Sequence, residues 1–185
     1  MPLGMFDEVI LADYDGDWPR LFLEERASLA GVLADSATAI EHVGSTSIPG
    51  LAAKPIIDIL VVLRRCLLPL GKVDAVCGLG YRYFGPFGIE GRQFFSKGRR
   101  GTHHLHCFVE GDPEIDRDLL FRDYLRAHPP EARRYEALKR ELAVICRMDR
   151  VNYTDGKTAL VREMDGRALE FWRARGSPPP FPVPR

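Results

Sequence analysis

One apolar run, residues 56–63 (IIDILVVL), constrains the fold more than any other part of the chain. It is apolar at both odd and even positions, which is typical of a strand covered on both faces at the centre of a sheet. The run therefore predicts a central β-strand, and Asp58 is its only charged residue. A buried carboxylate is costly unless it is paired or binds a metal, so we expect Asp58 to have a partner in a functional cleft. A purely structural hydrogen bond or salt bridge is the alternative.

The segments around this run alternate between helical and extended patterns. Before it, apolar residues at three-to-four spacing predict a helix between Trp18 and Asp35, and residues 38–43 predict a short strand. After it come a predicted helix at 69–79 and extended segments at 81–84, 93–96 and 102–109. The last two segments should form a hairpin, because a loop rich in glycine and basic residues joins them.

The C-terminal part is helical in pattern. Apolar positions mark three helices, at Leu119–Leu125, Tyr135–Ile145 and Leu160–Trp172. This order of elements predicts an α/β (α+β) fold, with a mixed sheet flanked by helices and a C-terminal helical layer. Residues 1–176 should form a single domain. The proline-rich tail, residues 177–185, should be flexible because it can form the interior of neither a helix nor a sheet.

Composition narrows the classes of partner. The chain has 26 basic and 26 acidic residues, so its net charge gives no general attraction to nucleic acid or anionic membranes. The four cysteines lack the spacing of a zinc site or a disulfide framework, and we interpret them as reduced core residues. No basic leader and no apolar stretch long enough to cross a bilayer is present, which predicts a cytoplasmic protein without membrane partners.

A turn-rich loop, residues 44–50 (GSTSIPG), follows the first predicted strand. Glycine lets the backbone approach a ligand closely, and the following hydroxyl groups and backbone N–H groups can donate to phosphate oxygens. The Walker A and G-x-S-x-G patterns are absent. The candidate phosphate-binding residues here are Gly44, Ser45, Thr46 and Ser47, with Lys54 as a nearby cation. A simple helix cap followed by a Pro-Gly turn is the alternative interpretation.

A histidine-rich strand provides the second candidate site. Alternation along residues 102–109 puts His104 and His106 on the face opposite to Leu105 and Cys107, and therefore toward the cleft. Two imidazoles and Asp58 form a three-ligand set that suits Zn²⁺, Mn²⁺ or Fe²⁺ better than Mg²⁺, or one imidazole could act as a general base. Asp58, His104 and His106 are thus the candidate catalytic and metal-binding residues. A polar face that binds nothing is the alternative.

The most basic region of the chain lies between residues 82 and 102, where Glu90 is the only acidic residue. It could hold a phosphate chain or an RNA backbone, although a solvated hairpin loop would have the same composition. Arg92 is the favoured phosphate-binding residue of this region because it begins a predicted strand.

Residues 41–59 (EHVGSTSIPGLAAKPIIDI) resemble the signature of GrpB proteins. Further matching positions are Tyr14-Asp15, Trp18, Gly91–Phe95, His104–His106, Phe121–Arg126, Tyr135–Lys139, Tyr153 and Lys157. The resemblance runs from about residue 9 to residue 172. Membership in these motifs supports Arg92 and makes Arg122, Lys139 and Lys157 further candidates for anion binding, with surface or interhelical ion pairs as the alternative.

The resemblance implies a nucleotidyltransferase-like fold of the DNA polymerase beta type. Such proteins carry a Gly-Ser loop, then two carboxylates one residue apart on a strand and a third on a later strand, which hold two Mg²⁺ ions. Gly44 and Ser45 match the loop, and Asp58 matches the first carboxylate. Leu60 occupies the second position and cannot ligate a metal, which places two-metal nucleotidyl transfer in doubt.

The resemblance therefore implies a nucleotide- or phosphate-binding protein, and at its most specific a divergent nucleotidyltransferase. In that interpretation Gly44 and Ser45 hold phosphates, Asp58 ligates a divalent metal (Mg²⁺, Mn²⁺ or Zn²⁺), and His104 or His106 replaces a missing carboxylate. Two alternatives stay open, an inactive module that binds nucleotide or RNA and a metal-dependent hydrolase built on the same three residues. The expected partner is a nucleotide or another phosphorylated small molecule, and net charge gives no indication of nucleic acid.

Overall fold

The computed structural model describes residues 8–98 and 101–176. Its five strands form one mixed sheet in the order β1-β2-β5-β4-β3. The strands are β1 (Ala37–Val43), β2 (Ile57–Leu63), β3 (Tyr81–Tyr83), β4 (Gln93–Lys97) and β5 (His103–Val109). Strands β2 and β5 are parallel, and the other neighbouring pairs are antiparallel. The predicted mixed sheet and the β4–β5 hairpin are confirmed.

Helices cover this sheet, and in the chain one precedes it, one lies between its strands and the others follow it. They are α1 (Trp18–Leu33), α2 (Leu70–Gly78), α3 (Pro113–Ala127), α4 (Pro129–Ile145), α5 (Arg150–Asp155) and α6 (Thr158–Ala174). The sequence did not predict α5, a six-residue helix too short for an apolar period, whose start is capped by the Asp149 side chain accepting from the Asn152 N–H. The proline-rich tail lies outside the described residues.

Strand β2 lies at the centre of the protein, as its composition predicts. Its Ile59 and Val61 side chains belong to the core cluster that α1 and α2 cover. Leu60 points the other way and packs with Phe108 and with Ile115 of α3. Asp58 belongs to the same alternating set as Leu60 but lies near the beginning of the strand, where its side chain keeps 29% of its exposure. The charge therefore sits where the apolar cover ends.

The four cysteines are free, as expected, but they are not all core residues. Cys107 is fully buried in β5, whereas Cys66 is exposed in the connection after β2. The interpretation of Cys66 as a core residue was wrong, because that connection lies outside the regular strand pattern.

Candidate functional site

The parallel pairing of β2 and β5 brings Asp58 beside the histidine pair. Asp58 and His104 are register partners, and the Asp58 Oδ1 atom lies 3.3 Å from His104 Nδ1 and 3.6 Å from His106 Nε2. One potential ligand atom from each residue lies within 4.8 Å of the others. The juxtaposition expected from strand alternation is present, and the catalytic and metal-binding roles stay predictions.

The two imidazoles keep the Asp58 carboxylate ionised. Burial raises the pKa of Asp58, but interactions with His104 and His106 outweigh that effect and hold the pKa well below its usual range. A carboxylate held ionised in this way is a weak base, but it can orient a bound hydroxyl group or share a cation.

Arg92 reaches His106 from the other side. Its guanidinium donates to the carbonyl oxygens of Pro86 at 3.1 Å and Phe87 at 2.7 Å, and its Nη1 atom lies 3.2 Å from His106 Nδ1. Because a guanidinium only donates, Nδ1 must accept, and the His106 proton resides on Nε2, which faces Asp58. Arg92 is only 8% exposed and uses its donors within the protein. This geometry favours a positioning role and gives no support to phosphate binding by Arg92.

The same tautomer decides how well the three residues fit a metal. A histidine that binds a metal through Nε2 carries its proton on Nδ1 and donates it to an acceptor. His106 Nδ1 meets the Arg92 guanidinium, which offers no acceptor. Asp58 and His104 therefore fit a divalent cation, whereas His106 fits only as a hydrogen-bond donor beside it.

A separate group of residues surrounds a cavity of about 200 Å³ beside Asp58. Three of the chain's five lysines line it, namely Lys54, Lys139 at the middle of α4 and Lys157 just before α6. We call it the lysine cavity, and Gly44 and Ser45 of the loop also line it. The Lys139 Nζ atom donates to Ser45 Oγ at 3.1 Å and to the Ala52 carbonyl oxygen, and so connects α4 to the loop.

Two tyrosine rings hold these lysines in place. Lys139 Nζ lies 4.7 Å from the ring centroid of Tyr135. Lys157 and Lys54 share the ring of Tyr153, with Nζ at 4.5 and 5.5 Å from its centroid. Cation–π contacts of this kind partly compensate an ammonium group for lost water.

Among the described residues, few negatively charged groups lie near the ammonium groups of these three lysines. Burial, together with repulsion from neighbouring cations, lowers the pKa of Lys139 to about 7 and the pKa values of Lys54 and Lys157 to about 8. Among the described residues that line the cavity, Asp58 is the only carboxylate. An anion in the lysine cavity would reverse part of these shifts, because an opposite charge favours the ammonium form.

The loop residues divide into two groups. Gly44 has a φ of 69°, and a Cβ atom there would lie 2.5 Å from Asp58 Oδ2, so only glycine fits. Ser45 faces Lys139 and the lysine cavity. Thr46 also lines the cavity, but its hydroxyl donates to the Ile56 carbonyl oxygen at 3.2 Å. The Ser47 hydroxyl donates to the Gly44 carbonyl oxygen at 2.6 Å, so Thr46 and Ser47 use their hydroxyl groups to shape the loop.

Arg122 forms the kind of ion pair that the sequence left open as the alternative to anion binding, whereas Tyr135 and Tyr153 differ from the sequence expectations. The Arg122 guanidinium donates to Asp123 at 2.6 Å and to Glu41 at 3.0 Å, and so forms a structural ion pair outside the lysine cavity. Sequence reasoning missed Tyr135 and Tyr153 as lining residues, although both belong to the matching motifs. Their helices are far from the loop in sequence, and the only available signal was a tyrosine near each motif lysine.

Fold and site together define a class of protein, a mixed α/β domain with a basic cavity next to an Asp–His cluster. The sequence profile described as GrpB protein matches residues 8–167, and this chain belongs to the GrpB family. It is similar to the crystal structure of the conserved protein GrpB from Enterococcus faecalis, with a TM-score of 0.81 and 37% identity over 89% of this chain and 99% of that one.

Two curated relatives extend the comparison. The UPF0157 protein YqkA of Bacillus subtilis is 41% identical over 92% of this chain, but this chain spans only 49% of its length. The Glutamate-rich protein GrpB of Alkalihalophilus pseudofirmus is 34% identical over 85% of this chain and 94% of its own. A terminal uridylyl transferase 4 from Trypanosoma brucei with bound CTP aligns at a TM-score of 0.47 and 13% identity, over 86% of this chain and 55% of that one. Such weak similarity carries no functional argument.

Within residues 8–98 and 101–176, none of the helices has the length and apolar character needed to cross a membrane.

Proposed function

We propose that this chain binds a small molecule that carries two or more phosphate groups, of the nucleoside di- or triphosphate class. The observation that carries the proposal is the convergence of Lys54, Lys139 and Lys157 with Ser45 on one small cavity. An anion beside buried ammonium groups with lowered pKa values favours their charged form. A phosphate chain supplies that charge and accepts several hydrogen bonds at once.

The position of Asp58 suggests where in the cavity a reaction would take place. A phosphate chain held by the lysines would end next to the ionised Asp58 carboxylate, with His104 and His106 behind it. This arrangement suits a carboxylate that orients a hydroxyl group or a cation at the end of the phosphate chain. Nucleotidyl transfer is the more specific form of the proposal and would release pyrophosphate from a nucleoside triphosphate. An inactive binding module would bind the same ligand without release.

Calorimetric titration with inorganic tripolyphosphate tests the proposal directly. The wild type should bind it, and Lys157→Met should weaken binding by about tenfold, since a hydrogen bond to a charged group contributes roughly 1.5–3 kcal/mol. Lys72→Met is the matched control, because Lys72 forms an ion pair with Asp35 and does not line the cavity. Absence of tripolyphosphate binding, or an equal loss in the Lys72 variant, would contradict the proposal.

A metal-assisted hydrolase is the second candidate function, favoured by Asp58 and His104, whose potential ligand atoms Oδ1 and Nδ1 lie 3.3 Å apart. Titration of the chelator-treated protein with Zn²⁺ and Mn²⁺ tests it. His104→Ala should lower the affinity at least about tenfold, because losing a metal ligand removes a direct bond. His106→Ala should change it less than about threefold, because Arg92 keeps His106 in the donor tautomer. Equal losses in both variants would mean that His106 is a ligand and that Arg92 moves away.

A further inference from the structure

A second cavity, of about 480 Å³, adjoins the lysine cavity and has a different lining. The two cavities share Lys54 and His104 as lining residues, so they lie next to each other. Aromatic rings dominate one wall of this second cavity, which we call the aromatic cavity. Phe87, from the connection between β3 and β4, stacks on Phe94 of β4 with ring centroids 5.0 Å apart and planes 14° apart.

The Phe94 ring is fixed on all sides. The rings of His104 and His106 contact it edge-on, at centroid distances of 5.2 and 5.3 Å, and the Arg92 guanidinium lies 4.9 Å from its centroid. Phe94 is 4% exposed and therefore serves as a rigid support. The same aromatic group thus connects to the Asp58 cluster through both histidines.

Phe87, by contrast, is 45% exposed although it is large and apolar. Its φ of 46° lies in the left-handed region, where a bulky side chain is strained. Arg92 secures this conformation by donating to the Phe87 carbonyl oxygen at 2.7 Å. Strained residues held by their surroundings are concentrated at ligand-binding sites, and here the strain presents an aromatic ring to the aromatic cavity.

We propose that the Phe87–Phe94 pair is a stacking platform for a planar heteroaromatic group, a nucleobase, carried by the same ligand whose phosphates occupy the lysine cavity. This inference rests on the proposed function. The occupant follows from continuity, since the part of a phosphate ligand that leaves the lysine cavity past Lys54 and His104 enters a space walled by aromatic rings. A nucleobase offers a flat π-face that stacks on such a ring, and an aliphatic alcohol phosphate does not.

The test compares ATP with inorganic tripolyphosphate by calorimetric titration of the full chain. Wild type should bind ATP at least about tenfold more tightly than tripolyphosphate, since one base stacked on an aromatic side chain contributes roughly a tenfold to hundredfold gain. Phe87→Ala should remove most of that preference and leave tripolyphosphate affinity within about twofold. Phe87→Leu retains apolar volume without the π-face and should lie between the two.

Tyr83→Ala is the control, because Tyr83 is similarly exposed at 40% but does not line the aromatic cavity. If the wild type binds ATP and tripolyphosphate with equal affinity, or if Phe87→Ala keeps the preference for ATP, the stacking-platform proposal is wrong. Neither outcome contradicts the proposed phosphate site. An equal loss of both ligands in Phe87→Ala would also overturn the stacking-platform proposal. If the wild type binds neither ligand, both proposals fail together.

Discussion

Replacing Lys139 with methionine is expected to weaken tripolyphosphate binding by about a hundredfold, the largest loss among the cavity lysines. Lys139 is 1% exposed, donates directly to Ser45 Oγ and faces the cavity. Its ammonium group would contact phosphate in a site with little water, where charge-assisted hydrogen bonds are strong. Methionine has a similar length and leaves most of the packing intact.

The pH dependence of tripolyphosphate binding should show whether the Lys139 ammonium group takes part in it. Burial, followed by repulsion from Lys157, lowers the pKa of Lys139 to about 7, so most of the unbound protein lacks this proton at pH 8. Phosphate binding favours the ammonium form, and binding at pH 8 should therefore take up a proton from the buffer. Titrations in buffers of different ionisation enthalpy should show that uptake. Affinity should fall as pH rises through 7 to 8, and this fall should be smaller in Lys139→Met.

The free energy of unfolding of the unligated protein should increase with pH, whereas the affinity for tripolyphosphate should decrease. The folded-state pKa of Lys139 lies below its unfolded value, so the unfolded chain binds more protons between about pH 7 and pH 10. The unligated wild type should therefore become more stable as pH rises through that range, and Lys139→Met should show a smaller rise.

A Lys139→Met variant that binds tripolyphosphate with an affinity within threefold of the wild type would show that the lysine cavity is not the phosphate site.

The faces of the Asp–His cluster could be predicted because strand alternation is local. A period of two along β5 is enough to put His104 and His106 on one face, and the apolar run of β2 leaves Asp58 as the single charge that needs a partner. The parallel pairing that brings these residues together joins distant segments, and the alternation of either strand does not specify it.

The lysine cavity depends on packing between distant segments. Lys139 and Lys157 lie on the C-terminal helical layer, and no pattern within their helices indicates which turn faces the Gly44–Ser45 loop. For Arg92 the sequence was also an insufficient guide, because it suggested a free side chain where the structure has a bound one. Its position at the beginning of a strand suggested a free cation, but its guanidinium is held by the Pro86–Phe87 connection, whose left-handed Phe87 conformation has no signature in the sequence.

The directions in which the hydroxyl groups of the loop point could not be predicted from the sequence either. Ser45, Thr46 and Ser47 form one turn of 3₁₀-helix, in which successive side chains point about 120° apart. Only Ser45 therefore has its hydroxyl on Lys139, whereas the Thr46 hydroxyl reaches the Ile56 carbonyl oxygen.

Restoring the second carboxylate by Leu60→Asp is expected to unfold the protein. Leu60 is 0% exposed and packs with Val62, Phe108 and Ile115 beneath α3. Truncating a buried leucine costs about 2–5 kcal/mol, and an unpaired carboxylate in the same place adds several kcal/mol more. Their sum is comparable to the roughly 5–15 kcal/mol stability of a whole domain. Circular dichroism with urea titration measures the loss.

Two controls separate the causes of that loss. Leu60→Ala removes the packing alone and should leave a folded protein with a lower urea midpoint, and Leu60→Asn adds a neutral group with the shape of aspartate. If the carboxylate itself is decisive, Leu60→Asp should be the least stable of the three at neutral pH, and Mg²⁺ should not restore it. A folded Leu60→Asp protein that Mg²⁺ stabilises would mean that position 60 opens to the cleft beside Asp58. The structure instead places α3 over Leu60, so packing as well as the missing carboxylate disfavours a metal ion at this position.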